Sequence, residues 1–278
     1  MPRAMSLHIG LNSVDAAAYG GWGGELQACE NDANSMERIT SALGYKAQKL
    51  LTRQATSDAV IAAISNAAKS LEDGGIFVLS YSGHGGQVPD KNGDEADGKD
   101  ETWVLYDREL VDDELHELYT TFRPGTRIFV LSDSCHSGTV TRGLFDELAR
   151  LEAEHGIRRK SNPLPKAMPK EIADREYRRQ QKKYDDIQAK TKATVSKSPE
   201  AAVLLISGCQ DNQLSSDGDI NGLFTEKLLG VWNDGKFARD YRNFQRTIKK
   251  QMPPSQQPNY FVVGATSKAY ERQHPFQI

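Results

Sequence analysis

The 278-residue sequence has few cysteines, little net charge and no long hydrophobic run, and each shortage excludes a class of protein. Three scattered cysteines cannot form the disulfide framework of a small secreted domain, so we expect a reducing, cytoplasmic environment. A net charge of −3 provides no general attraction to nucleic acid or to a membrane surface. No apolar stretch approaches the roughly 20 residues of a membrane-spanning helix, and no signal-peptide segment precedes the first predicted strand.

The hydrophobic pattern instead predicts an α/β protein, because short apolar runs alternate with segments of helical periodicity. Hydrophobic residues make up 38% of the chain, which is enough to bury a core. Thr56 is a suitable N-cap for one of the helices. Strands are predicted at 6–12, 47–51, 76–80, 102–106, 127–132, 201–207 and 258–264. Helices are predicted at 31–43, 56–71, 171–192, 222–232 and 239–250, and a short one begins at Asp112.

Two glycine-rich motifs follow predicted strands, YSGHGG at Tyr81–Gly86 and DSCHSG at Asp133–Gly138. Side chains just past the strand ends of an open α/β sheet are placed where such sheets bind ligands. Cys135 suits a thiolate nucleophile and His84 suits its general base. Taken alone, Cys135 also has an interpretation without catalysis, since a cysteine after a strand is usually a small buried side chain.

Both motifs resemble those of metacaspases, of the bacterial kind called orthocaspases, in the caspase-like clan of cysteine proteases. The resemblance runs from 6 to about 137 and resumes over 201–229. It implies a caspase-like three-layer sandwich with a mostly parallel central sheet and helices on both faces. By the same resemblance, His84 and Cys135 form the catalytic dyad, the amides of Gly85 and Cys135 form the oxyanion hole, and a backbone carbonyl orients the histidine.

The resemblance also divides the chain into three parts. Residues 1–140 correspond to a large-subunit-like part, 141–200 to a charged helical insertion, and 201–278 to a small-subunit-like part of the same domain. The implied function is a monomeric endopeptidase, made as a zymogen, that acts on protein or peptide substrates with a basic residue before the cut. No cofactor is required for the chemistry. The alternative is a catalytically silent or partner-activated caspase-like module that binds basic peptides.

An acidic pocket is expected to select the basic residue. Asp133 lies two positions before Cys135 and therefore shares its side of the strand. The segment after the first strand resembles the family loop that contributes Cys29 and Asp32, and the resemblance adds Ser82. Two neighbouring carboxylates in a cleft favour a substrate cation. Without the other pocket residues, Asp32 would be interpreted as an acidic residue that stabilises a helix N-terminus.

The sequence matches the calcium-binding residues of the family in part. Residues 90–117 contain 12 acidic and 3 basic side chains. Asp100, Asp112 and Asp113 align with three of the four family aspartates, and carboxylates suit this hard cation. The fourth position is Arg142, whose charge opposes binding. Asp112 and Asp113 also suit a simple helix start, so this alternative stays open.

The stretch 156–197 carries a net charge of +8, whereas the remainder of the chain carries −11. An enzyme that cuts after basic residues could cut itself there, since exposed charged linkers are common sites of cleavage. The alternative is a solvated charged helix with no regulatory role. The predicted self-cleavage sites are Arg158, Arg159, Lys160, Arg178, Arg179, Lys182 and Lys183.

Two further residues have open interpretations. Cys209 is expected to be a small core residue at the end of a strand, with a redox role as the alternative. Trp22 lies in a glycine-rich loop, where it could either stack on a substrate or cover the core.

Overall fold

The computed structural model describes the greater part of the chain. The described residues are 3–93, 95, 97–135, 164–209, 216–265 and 267–278.

Within the described residues, the central sheet has six strands, which are β1 (Ala4–Gly10), β2 (Lys46–Leu51), β3 (Ile76–Ser82), β7 (Arg127–Asp133), β8 (Ala202–Ser207) and β9 (Asn259–Gly264). Their order across the sheet is β2-β1-β3-β7-β8-β9. The first five in this order are parallel, and β9 runs antiparallel to its neighbour β8.

Helices cover both faces of this sheet. They are α1 (Cys29–Ala42), α2 (Ser57–Ser70), α3 (Asp112–Thr120), α4 (Lys170–Val195), α5 (Leu223–Trp232), α6 (Tyr241–Lys249) and α7 (Lys268–Glu271), with short 3₁₀ turns at Thr52–Gln54 and Asn233–Gly235. Helices α2 and α3 share one hydrophobic cluster with the sheet, and α1, α5 and α6 share the other. The expected three-layer sandwich is therefore confirmed.

The alternation of side chains along the strands explains the two cores. On β3, Phe77 and Leu79 point into the α2–α3 cluster, whereas Ile76 and Val78 point into the α1–α5–α6 cluster. A strand buried on both faces needs apolar residues at every position, which is the pattern of parallel sheets in α/β proteins. The side chain of Thr56 caps α2, as predicted, by accepting a hydrogen bond from the Ala59 amide.

A second, antiparallel sheet lies beside the strand ends. It consists of β4 (Gly85–Pro89), β5 (Lys99–Val104) and β6 (Glu109–Val111) in that order. Sequence patterns predicted only β5. The other two are too short, and β4 too rich in glycine, to show the alternation of a strand.

The charged helix α4 is attached to the rest of the fold along one side. It packs against α3 and β4. Tyr184 is fully buried, and its hydroxyl oxygen accepts a hydrogen bond from the Glu109 amide. Gln188 is also buried and bonds the backbone of Lys91 and Pro89. A helix that is polar on one face can still be anchored by a narrow buried stripe.

Among the described residues, no helix combines the length and the apolar character needed to cross a bilayer.

Candidate active site

His84 lies two residues beyond the end of β3 and is almost completely buried. Its Nε2 atom is 3.1 Å from the carbonyl oxygen of Gly24. Because a carbonyl only accepts, Nε2 carries the proton and Nδ1 is left as the basic nitrogen. Among the described residues Nδ1 has no hydrogen-bond partner. The orienting group expected from the family resemblance is therefore present as the Gly24 carbonyl.

Burial sets the charge state of this imidazole. It lowers the pKa of His84 to about 4, although the backbone groups of Gly24 and Ala167 act in the opposite direction. The ring is consequently neutral at pH 7 and able to take up a proton. Trp22 lies against the ring, with the two centroids 4.9 Å apart. The sequence left two roles open for Trp22, stacking on a substrate or covering the core. Its packing in the structure favours the second role.

Cys135 follows β7, the parallel neighbour of β3, so both motifs emerge at the same edge of the sheet. The backbone N–H groups of Gly85 and Cys135 point at a single atom, the carbonyl oxygen of Lys166, at 3.0 and 2.9 Å. Two converging amides of this kind can stabilise a negatively charged oxygen. The structure thus brings together the two amides that the resemblance assigned to an oxyanion hole, and a peptide carbonyl occupies them.

Backbone pairing holds the chain on either side of Lys166, which itself lies at a bend. The carbonyl of Leu164 accepts from the Asp217 amide at 2.8 Å, and the Met168 amide donates to the Gly85 carbonyl at 2.7 Å. Isolated β-bridges join Pro165 to Ser216 and Ala167 to Gly85. Backbone pairing on both sides of a bound peptide is a general way to hold a substrate independently of its sequence.

The side chain of Lys166 fills the expected acidic pocket and is fully buried. Its Nζ atom is 2.9 Å from Asp32 Oδ2, from Asp133 Oδ2 and from Ser82 Oγ. Burial raises the pKa of the Cys29 thiol, and the Lys166 ammonium and a hydrogen bond with Ser82 oppose this rise. Three of the four residues predicted for this pocket, Asp32, Ser82 and Asp133, therefore contact one ammonium group, and Cys29 is buried.

Three further residues complete the pocket and escaped the sequence analysis. Asn221 Nδ2 and the Gly222 amide each donate to Asp32 Oδ1 at 2.9 Å. Thr225 Oγ1 donates to Asp133 Oδ2 at 3.0 Å. A β-carbon on Gly222 would lie 2.2 Å from Lys166 Nζ, so only glycine leaves room for the ammonium. All three lie within 201–229, where the family resemblance resumes, and that is the signal the sequence offers for them.

The charges in this pocket depend on one another. Burial alone would lower the pKa of Lys166, but the carboxylates of Asp133 and Asp32 outweigh it and raise that pKa well above its usual value. Burial raises the pKa of Asp32, and the ammonium opposes this rise. A buried charge is tolerated only when it is paired and hydrogen-bonded, and each group here meets that condition.

The aspartates expected to bind calcium lie near one another but face different partners. Asp113 Oδ2 accepts hydrogen bonds from Asn92 and Thr191. The carboxylate oxygens of Asp112 come within 4.8 Å of those of Glu95 and Glu101 instead. The group of converging carboxylates therefore shares only Asp112 with the expected calcium ligands. Asp100 is buried, and Arg142 falls outside the described residues.

Burial and the adjacent carboxylates raise the pKa of Asp112 well above its usual value. A nearby cation would stabilise the ionised form of such a carboxylate. The oxygen-rich donor set therefore fits a hard divalent ion.

Four of the predicted self-cleavage sites lie away from the cleft, on α4. Arg178 and Arg179 precede a kink at Gln180, Lys182 and Lys183 follow it, and all four side chains are exposed. The remaining three predicted sites, 158–160, lie outside the described residues. The basic residue that does reach the cleft is Lys166, which belongs to the same positively charged stretch but was not singled out by any local pattern.

Removing the buried cation provides a test of this arrangement. We expect Lys166→Met, in an otherwise intact Cys135→Ala chain, to lower the free energy of unfolding at pH 7 by about 3 kcal/mol. Removing the cation of a buried ion pair leaves its carboxylate partners buried and unpaired. A carboxylic acid whose pKa is raised by folding destabilises the fold as pH rises above the unfolded value of about 3.9. The loss should therefore be larger at pH 7 than at pH 4.

Chemical denaturation at the two pH values measures this difference. Lys182→Met is the matched control, because the Lys182 side chain is 94% exposed. Equal stability of the Lys166 variant and its parent at pH 7 would contradict a buried ion cluster.

Comparison with known proteins agrees with this geometry. The family model for the caspase domain matches residues 13–270. Metacaspase-1A of Aspergillus terreus is 32% identical over 252 residues, which cover 80% of this chain and 60% of that protein. Metacaspase-1 of Schizosaccharomyces pombe is 31% identical over 261 residues, covering 81% and 58%. The chain thus spans about 60% of the length of these curated relatives.

Two solved structures extend the comparison. Protein GSU0716 from Geobacter sulfurreducens is 48% identical, with a TM-score of 0.85 over 100% of this chain and 99% of that one. Caspase-1 from Spodoptera frugiperda shares the fold alone, with a TM-score of 0.54 and 11% identity over 95% and 86% of the two chains. The family-model match over most of the sequence shows that this chain belongs to the caspase domain family, and within it the chain is similar to metacaspases.

Proposed function

We propose that the chain is a cysteine endopeptidase that cleaves peptide bonds after lysine or arginine. One observation carries this proposal, which is that Lys166 is bound as a substrate residue would be. Its carbonyl oxygen meets the amides of Gly85 and Cys135, and its ammonium lies between two carboxylates. The caspase domain match and the metacaspase relatives support the same reaction class.

The proposed chemistry uses the two reactive side chains that follow the neighbouring parallel strands β3 and β7. His84 Nδ1 accepts the proton of the Cys135 thiol, and the thiolate sulfur attacks the carbonyl carbon of the bound basic residue. The two amides stabilise the oxyanion. The protonated imidazole then donates to the departing amine nitrogen. A water molecule hydrolyses the resulting thioester, with His84 again as base, and restores the thiol.

The preference for a basic residue rests on the charge of the pocket. Two carboxylates and one hydroxyl converge on the ammonium nitrogen. An aspartate side chain would add a third negative charge to a buried site, which is strongly unfavourable. An arginine can pair with the same carboxylates through its several N–H groups.

A panel of fluorogenic peptides that differ only in the residue before the cut tests the specificity. We expect turnover after Lys and Arg and none after Asp. Asp133→Asn should reduce kcat/KM for the Lys peptide by about 100-fold, because a charge-assisted pair within a buried site is worth roughly 3 kcal/mol. Exposed Asp234→Asn is the control, and Cys135→Ala is the blank. Preference for the Asp peptide would overturn the assignment.

We further propose that the bond between Lys166 and Ala167 is the self-processing site. This replaces the predicted sites on α4, because a protease needs an extended backbone and those residues lie in a helix. The same contacts that present this bond to Cys135 also exclude other substrates, since the segment fills both the pocket and the amide pair. The uncut chain is thus its own competitive inhibitor.

Intact mass spectrometry of the purified chain tests self-processing. We expect fragments ending at Lys166 and beginning at Ala167, their complete absence in Cys135→Ala, and about a tenfold or greater loss in Lys166→Gln, because the neutral side chain leaves both carboxylates unpaired. Lys182→Gln, on the exposed face of α4, should process like the parent. Cleavage mapped to Lys182 or Arg178 instead would refute the Lys166 site. A Cys135 that stays unlabelled by an arginyl chloromethyl ketone even in Lys166→Gln, whose side chain no longer supplies a cation to the pocket, would favour the silent binding module.

Finally, we propose that calcium binds at Glu95, Glu101 and Asp112. The support is the convergence of their oxygens, together with the family resemblance, which includes Asp112 but neither glutamate. In Cys135→Ala, millimolar calcium should raise the Tm by a few degrees, because a ligand that binds only the folded state stabilises it. Asp112→Asn should abolish the shift, whereas exposed Asp97→Asn should retain it. An unchanged Tm together with full peptidase activity in EGTA would exclude the site.

A further inference from the structure

A second thiol lies against the sulfur of Cys135. Cys209 Sγ is 3.2 Å from Cys135 Sγ, and it is also 3.2 Å from the carbonyl oxygen of Ser134. Both cysteines are buried, at 0% and 4% exposure. None of the three cysteines is in a disulfide. The hydrolysis described above uses only the sulfur of Cys135, so it leaves Cys209 without a function.

The fold holds this second thiol firmly in place. Cys209 follows β8, which runs parallel to β7 with Ser132 opposite Ser207. Beyond the strand, the Gly208 amide donates to the Ser132 carbonyl at 2.7 Å, and Gln256 Nε2 donates to the Gly208 carbonyl at 3.3 Å. The segments that follow β7 and β8 therefore leave the sheet side by side, which places the sulfurs of Cys135 and Cys209 in contact.

This spacing is compatible with a covalent bond. A disulfide requires the sulfurs to approach to about 2.05 Å, which the present distance reaches by a shift of roughly 1.2 Å. Rotation of the side chains about their Cα–Cβ bonds moves sulfur by distances of this order and requires no movement of the strands.

We propose that Cys135 and Cys209 form a reversible disulfide when the nucleophile meets a hydroperoxide. The thiolate of Cys135 attacks the peroxide oxygen, the O–O bond breaks, and Cys135 sulfenic acid and water (or an alcohol) result once a proton is taken up. The sulfur of Cys209 then displaces the sulfenic hydroxyl, which leaves as water with the proton of the Cys209 thiol. Two electrons pass from the two thiols to the peroxide, and a dithiol or other thiol reductant reverses the change.

Two consequences follow from the position of the pair. Cys135 is no longer a nucleophile while it is in the disulfide, so the reaction proposed above stops. The sulfenic acid is also removed before a second peroxide can oxidise it irreversibly to the sulfinic acid. Cys209 thus acts as a resolving cysteine that converts permanent damage into a reversible arrest.

The disulfide also bridges the proposed cut. Cys135 lies before Lys166 in the chain and Cys209 lies after it. Once the chain is processed, oxidation would join the two fragments covalently. A non-reducing gel then reports the disulfide as a band of the size of the uncut chain, which separates into two bands when dithiothreitol is added.

The test is to treat the full-length chain with hydrogen peroxide and to identify the disulfide by mass spectrometry after digestion with an added protease. We expect a peptide pair linked through Cys135 and Cys209, which dithiothreitol separates. In Cys209→Ser we expect Cys135 sulfinic acid instead, and activity recovered with dithiothreitol should fall at least about fivefold relative to the parent. Each variant is compared with its own untreated activity. Cys29→Ser should still form the linked pair.

The peptide readout does not depend on protease activity, although the recovery assay rests on the proposed function. If the chain proves inactive but the linked pair forms, the redox proposal stands and the catalytic one fails. Oxidised Cys135 that appears only as sulfenic or sulfinic acid in the parent, or that pairs with Cys29, would overturn the proposal.

Discussion

The ion cluster of Lys166 with Asp32 and Asp133 is the interaction on which the rest of the site depends. Three charged groups lie out of contact with water, and each would be strongly unfavourable alone. Together they leave one excess negative charge, which is shared among the hydrogen bonds from Asn221, Gly222 and Thr225. The pocket is therefore stable only while a cation occupies it, either from the chain itself or, on the account proposed here, from a substrate.

This cluster follows from the topology of the sheet. Strands β3 and β7 are parallel neighbours with Ser82 opposite Asp133, so the pocket and the two reactive side chains are built from adjacent strand ends. Helix α1 brings in Asp32 from the flank. Helix α4 anchors the occupying segment, because it begins directly after Pro169 and is held by buried Tyr184 and Gln188. Displacing Lys166 thus requires either a cut or a movement of the segment attached to this helix.

Several features could be predicted from the sequence because local patterns determine them. Apolar runs located the central strands to within a few residues, and glycine-rich motifs at their ends indicated His84 and Cys135. Other features depend on contacts between distant segments and leave no local signal. The carbonyl that orients His84 belongs to Gly24, and a glycine in a glycine-rich loop carries no local sign of what its carbonyl contacts. Lys166 is one of several basic residues in its stretch, and nothing in its neighbours distinguishes it.

The most direct test is a crystal structure of the full-length Cys135→Ala chain at neutral pH, in which self-processing cannot remove the segment. The account predicts Lys166 Nζ between the carboxylates of Asp32 and Asp133, with its carbonyl oxygen on the amides of Gly85 and residue 135. Density that places the Lys166 side chain in solvent, with the acidic pocket filled by water or by another residue of the chain, would contradict it.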